Sequence, residues 1–348
     1  LHSHRESKGS IRFNSQELKL PRNFILRVPP LPSGIKSFPF LKNMKTKFTK
    51  KRIALYALIL IIGIYLISIY NSTGFLQGSK MDEKDASYWT YDGNVIKGTD
   101  EYTFLGSTET CWLLIHSYTA TPLELKDLGR EININLGDMV YGIKLSGHGE
   151  VPSHLEGKNL DVWYKEIQGK YKAFTGLCDN INVVGSSYGA VLALRLAEEN
   201  EIKNLYILNP FLKKPYELHK IIPFELRAKL FSGIILYNKK NDIANINFPQ
   251  GKQAHVSYWN MPYGPIKDSL PFIKTTTQNL PNVTSPIFIA YSENDKVAGS
   301  YSAITINNTV SSNVRGLFDY KRSNHVLLMD YDRLNVINDV IKFEEMNK

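Results

Sequence analysis

Three side chains, widely separated in the sequence, could together cleave an acyl bond: Ser187, Asp295 and His325. A serine hydroxyl is a poor nucleophile until a base takes its proton. That base in turn needs a carboxylate to hold its tautomer and to stabilise the imidazolium. Ser187 is the centre of Gly185-Ser186-Ser187-Tyr188-Gly189. Asp295 follows the apolar run Ile287 to Tyr291, and His325 follows Val314 to Tyr320, so both are expected in loops at the carboxyl ends of strands. A lone Asp or His is ordinarily a surface or capping residue. Three such groups in the order Ser, Asp, His, each at a strand end, argue against coincidence.

The elements that must hold them can be read from the spacing. Ile181, Val183 and Val184 form a β-branched run before the glycine-flanked serine, and residues to Glu198 continue with helix-period apolar spacing. Strand, tight turn and helix in that order predict a strained serine backbone, with Gly185 and Gly189 leaving no Cβ to meet the neighbouring strand and helix. The helix N-terminus behind the turn favours developing negative charge. Cys111 to His116 reads as a strand buried on both faces, and Thr121 is placed to cap a helix that has Pro122 at its first position. Leu123 to Leu136 has helical spacing, Met139 to Leu145 is the next strand, and Asp161 to Phe174 is an amphipathic helix. Leu205 to Leu208 is a further strand, and Val326 to Phe343 a last helix. Tyr102 to Leu105 reads as an early strand. This alternation predicts an α/β fold, a mostly parallel central sheet with helices on both faces. It lapses over about 211–282, a stretch rich in aromatics and prolines with some helix over Pro223 to Leu236, which reads as a cap over the serine or a second small core.

The chain resembles the α/β-hydrolase superfamily and is similar to its carboxylesterases and monoacylglycerol lipases of the thermophilic-esterase type. The residues that carry the resemblance are Leu113 to Thr119, Ser146-Gly147-His148-Gly149, Asp161-Val162-Trp163, Gly185 to Gly189, the Asp295 loop and Ser323 to Val326. The resemblance implies that Ser187 is acylated, that His325 is general base and then acid, and that Asp295 orients it. It further implies an oxyanion hole made by the backbone N–H groups of Tyr118 and Tyr188, with no metal and no cofactor. Ser117 and Asn324 stand where such proteins commonly have Gly. His116 and His148 match family motifs and are expected to hydrogen-bond within loops. The expected activity is hydrolysis of a carboxylic ester such as a monoacylglycerol. A thioesterase or acyltransferase would use the same triad, and a catalytically silent protein of this fold that binds a lipid or partner is the alternative from another class.

Composition constrains the rest. The 348 residues carry a formal charge of +9, but residues 1–52 hold 13 of the 42 Lys and Arg against only Glu6 and Glu17. The remaining chain is therefore close to neutral and has no nucleic-acid signature, which sets nucleic-acid binding aside. Residues 1–52 read as a basic disordered segment, with Met44 as the working start and 1–43 as translated leader. Residues 53–70 are eighteen residues without a charge, longer than the apolar region of a cleaved signal, and read as a transmembrane signal anchor with the basic flank cytoplasmic. A polar tether over 71–100 then leads to a catalytic domain over 101–348 on the extracytoplasmic side. Cys111 and Cys178 are either two buried thiols or one bridge between neighbouring strands. The oligomeric state is not legible.

Overall fold

The computed structural model describes residues 50–72, 78–214, 237–240 and 245–347, together with positions 225, 226 and 229; the side chains of 50, 67–72 and 78–81 are not described. The expected leader and disordered segment up to residue 49, and most of the expected helix over Pro223 to Leu236, lie outside these residues.

The uncharged segment forms a helix, α1 (Lys50–Ser72), and Ile53, Leu58, Ile62 and Leu66 along it are exposed. Its side chains are described for 51–66 alone, and among the described residues no helix is long and apolar enough to cross a membrane. Residues 60–348 form one compact unit.

The tether expected over 71–100 is corrected. Gly78–Ala86 is a helix, α2, and Tyr91–Asp92 (β1) pairs antiparallel with Val95–Ile96 (β2). Helix α2 is held by specific bonds. Asp82 accepts from the backbone N–H of Ser153 at 2.9 Å, and Asp85, fully buried, accepts from the N–H groups of Trp259 (2.6 Å) and Asn260 (3.0 Å) and from the Asn260 amide (2.6 Å). Burial pushes the Asp85 carboxyl above its usual range, against those hydrogen bonds.

β3 (Tyr102–Phe104), β4 (Ser107–Ile115), α3 (Lys126–Leu136), β5 (Asp138–Ile143), α4 (Leu160–Thr175), β6 (Asn180–Ser186), α5 (Tyr188–Glu199) and β7 (Leu205–Leu208) follow in order. β8 (Tyr237–Lys239), α6 (Pro249–Ala254), β9 (Asn260–Pro262), α7 (Tyr263–Asn279), β10 (Ile287–Tyr291), α8 (Gly299–Thr309), β11 (Arg315–Asp319) and α9 (Arg333–Met346) complete the chain. The central sheet has the order β11-β10-β7-β6-β4-β5-β3, parallel except for β3 at its edge. Its strands are apolar on both faces because helices cover both. Leu113, Ile115, Val183, Ile207 and Ile289 face the side packed by α4, α5, α7 and α8, while Trp112, Leu114, Val184, Tyr206 and Phe288 face α3 and α9.

Three expectations at element boundaries change. The expected cap over 211–282 includes core: Phe272 and Ile273 of α7 bury themselves beside the sheet, while β8 and β9 pair antiparallel apart from it. The last helix is interrupted: Leu327–Met329 is a single 3-10 turn, and α9 begins only at Arg333. Thr121 does precede the Pro122–Leu125 turn, yet its side chain makes no capping bond. Cys111 and Cys178 form a disulfide, with Cα atoms 6.0 Å apart.

Candidate active site

Parallel register brings the carboxyl ends of the central strands to one edge. Ile115 of β4 lies beside Gly185 of β6, Ser186 beside Leu208 of β7, and Leu208 beside Ala290 of β10. Every loop expected to carry chemistry leaves the sheet at this edge.

Ser187 joins β6 to α5 with φ 53° and ψ −108°, a conformation that non-glycine residues rarely hold. The turn is tight enough that its glycines are obligatory. A Cβ on Gly185 would lie 2.3 Å from the Gly189 carbonyl oxygen, and one on Gly189 would lie 2.2 Å from that of Ile115. Ser187 is held by its own N–H, which donates to the Leu208 carbonyl at 2.9 Å. Its Oγ lies 3.0 Å from Nε2 of His325, and Nδ1 of the same ring lies 2.8 Å from Oδ2 of Asp295. With Nδ1 protonated toward the carboxylate, Nε2 is left free to accept the serine proton. All three residues are buried. Burial alone would raise the Asp295 carboxyl, but the His325 charge, its ring hydrogen bond and the N–H groups of Val297 (2.7 Å) and Ala298 (3.0 Å) outweigh it and hold it below the usual aspartate range.

Tyr118 and Tyr188 are also brought together, their rings stacked with centroids 5.3 Å apart. Tyr188 opens α5, so its N–H belongs to the first turn, which has no intrahelical acceptor. The Tyr118 loop is tied from several sides. Its hydroxyl donates to the Pro262 carbonyl (2.8 Å), the Thr119 carbonyl accepts from Tyr258 N–H (3.0 Å), and Lys240 Nζ reaches Thr119 Oγ1 (2.6 Å) and Ser257 Oγ (2.9 Å). The β8–β9 region therefore closes over the loop after β4. Phe211, after β7, packs its ring on Tyr188.

His116 and His148 sit in the loops. His116 Nδ1 lies 2.9 Å from the Ser117 carbonyl and its Nε2 accepts from Leu145 N–H at 3.2 Å, while His148 Nδ1 lies 3.2 Å from the Leu145 carbonyl. Burial lowers His116 to about 4 and His148 well below its ordinary value.

Four residues hold the site, and of these the sequence reading singles out Asn324 alone. Asn209, with φ 38° after β7, donates its amide to the carbonyls of Asn324 (3.0 Å) and His325 (2.6 Å) and accepts from Ser292 N–H (2.9 Å). Asn324 accepts from the N–H of Lys296, next to Asp295, which gives its side chain work that Gly in that place would lack. Lys240 and Glu124 are the others. The only sequence signal at Asn209 is the turn dipeptide Asn209-Pro210. Among the described residues no cluster of ligating side chains is arranged to hold a metal.

A strained serine on a strand-to-helix turn, a histidine and an aspartate on later loops, and this strand order define an α/β-hydrolase fold. No family model matches the chain. It is 23% identical over 248 residues to a carboxylesterase of Bacillus subtilis (strain 168), covering 70% of this chain and 95% of the relative. It is 25% identical over 233 residues to a thermostable monoacylglycerol lipase of Bacillus sp. (strain H-257), covering 66% and 88%. Among solved structures, a chain from the metagenome-derived lipolytic enzymes LipS and LipT superposes with a TM-score of 0.66 at 20% identity, over 72% of this chain and 99% of that one. The chain thus has the α/β-hydrolase fold and is similar to carboxylesterases and monoacylglycerol lipases.

Proposed function

We propose that this protein is a membrane-anchored serine hydrolase of carboxylic esters, with Ser187, His325 and Asp295 as its triad. The observation that carries the reading is the unbroken line of contacts from Ser187 Oγ through the His325 ring to Asp295. In the first half-reaction Oγ attacks the ester carbonyl as its proton passes to Nε2 of His325. The Tyr118 and Tyr188 N–H groups receive the oxyanion, the C–O bond to the alcohol breaks, and the imidazolium returns its proton to the leaving alkoxide. In the second, water attacks the acyl-Ser187 ester with His325 again as base, and the acid leaves as Oγ is reprotonated. Asp295, held ionised, stabilises the imidazolium in both halves.

An ester of modest acyl length, such as a monoacylglycerol, fits two features. Tyr118, Tyr188 and Phe211 form an aromatic wall beside the serine, and two relatives are named carboxylesterase and monoacylglycerol lipase. Anchoring rests on the sequence, eighteen uncharged residues after a basic flank. The Cys111–Cys178 bridge supports an oxidising, extracytoplasmic setting for the domain.

The test is labelling with a fluorophosphonate probe alongside a panel of p-nitrophenyl, glycerol and thioesters. Labelling and ester turnover that vanish together in Ser187→Ala support the reading. A folded protein that takes no label and turns over no ester contradicts it and leaves the fold to a lipid- or partner-binding role. Protease added outside intact cells tests the topology, since a fully protected domain would refute the extracytoplasmic placement.

A further inference from the structure

Glu124 lies in the turn Pro122–Leu125 that follows the Tyr118 loop, and it is 3% exposed. Its Oε2 accepts the hydroxyl of Ser117 and its Oε1 accepts the hydroxyl of Ser186. Ser117 directly precedes Tyr118, and Ser186 directly precedes Ser187. One buried carboxyl therefore ties together the two turns whose backbone N–H groups would hold the oxyanion. Burial pushes this carboxyl above the usual range, while the two hydroxyls and the His325 charge oppose the shift, so Glu124 also lies within electrostatic reach of the triad.

The loop it braces needs bracing. Thr119 holds φ 65°, a strained value that persists only where the surroundings over-determine it. The contacts from Pro262, Tyr258 and Lys240 hold the loop on its cap side. Glu124 hydrogen-bonds both that loop, through Ser117, and the turn that carries Ser187, through Ser186.

We propose that Glu124 is a positioning residue that sets the spacing between the Tyr118 and Tyr188 amides, and so the fit of the site to the tetrahedral transition state more than to the bound ester. This rests on the ester-hydrolase reading above. Oxyanion donors act over a narrow range of distance, and losing one outright costs about 10²–10³ in kcat, so letting two donors drift apart costs about tenfold or more.

The experiment compares wild type with Glu124→Gln, Ser117→Ala, Ser186→Ala and the double serine variant. For each it measures kcat per site titrated by fluorophosphonate, KM, and inhibition by a trifluoromethyl ketone that mimics the tetrahedral intermediate. Glu124→Gln is expected to lower kcat per titrated site by about tenfold with KM within about twofold, and to weaken the ketone in step with kcat/KM. Because either serine alone breaks the bridge, the double variant should be little worse than each single one. A folded Glu124→Gln with wild-type kcat per site and wild-type ketone binding would overturn the proposal. Should that variant not fold, the serine pair decides, and strictly additive or absent effects would overturn it equally. A wild type that neither titrates nor cleaves esters would instead overturn the ester-hydrolase reading itself, and this inference with it.

Discussion

Asn209 donates its side-chain amide to the backbone carbonyl of His325 at 2.6 Å, across 116 positions of sequence. The same side chain holds the Asn324 carbonyl and the Ser292 N–H, so one residue at the end of β7 pins the loops that carry both His325 and Asp295. Asn209→Ala leaves these buried groups unsatisfied, at about 1–3 kcal/mol for each. It also frees the His325 loop, where a misplacement of about 1 Å costs about 10²-fold in rate. Asn209→Gly restores the backbone freedom that φ 38° demands but not the staple. Both variants should lose activity, with Gly the more stable; thermal melts and kcat per titrated site check this.

Gly189→Ala should separate α5 from β4. The added methyl would meet the carbonyl oxygens of Ile115 at 2.2 Å and His116 at 2.7 Å, pushing Tyr188 away from the Tyr118 loop. A fall in kcat of about 10²-fold is expected from displaced oxyanion donors. Gly169, in the middle of α4, has nothing within 4 Å of an added Cβ. Gly169→Ala should leave kcat alone and raise stability by about 0.5–1 kcal/mol, measured by urea unfolding.

Buried neutral histidines make the fold sensitive to acid. His116 is lowered to about 4 and His255 to about 3, both chiefly by burial. The unfolded chain therefore binds more protons than the native one once pH drops below about 6.5, and stability falls with pH, by up to about 1.4 kcal/mol per pH unit for each histidine. For His116 the loss accumulates down to about pH 4. Urea unfolding between pH 7 and 4 should show this slope, and His116→Gln should reduce it.

The Cys111–Cys178 bridge closes a loop across a sequence separation of 67. Chain entropy predicts a loss of about 4 kcal/mol when it is removed. Cys111→Ser with Cys178→Ser should melt well below wild type, and reductant should lower the wild-type melt but not that of the variant.

Much of this was legible in the sequence because the sheet is buried on both faces. Cys111 to Ile115 and Ile287 to Tyr291 are continuous apolar runs, Ile181 to Val184 is broken by Asn182 alone, and such runs bounded by turn residues point to parallel strands. The serine turn was legible because only glycine fits at 185 and 189. What the sequence hid depends on distant partners. Asp85 looks like part of a polar tether until Trp259 and Asn260 arrive. Glu124 looks like a helix-start carboxylate until Ser186, 62 positions away, is folded against it. Helix α7 read as irregular because Gly264, Pro265 and Pro271 break its pattern, although Phe272 and Ile273 anchor it to the core.

The measurement that bears most directly on the account is the mass of the enzyme trapped by acid quench during turnover of a p-nitrophenyl ester. A transient gain equal to the acyl group, mapped to the peptide containing Ser187 and accumulating in a burst, is the predicted result. Ester turnover with no acyl-protein, or with the acyl group on another residue, would contradict it.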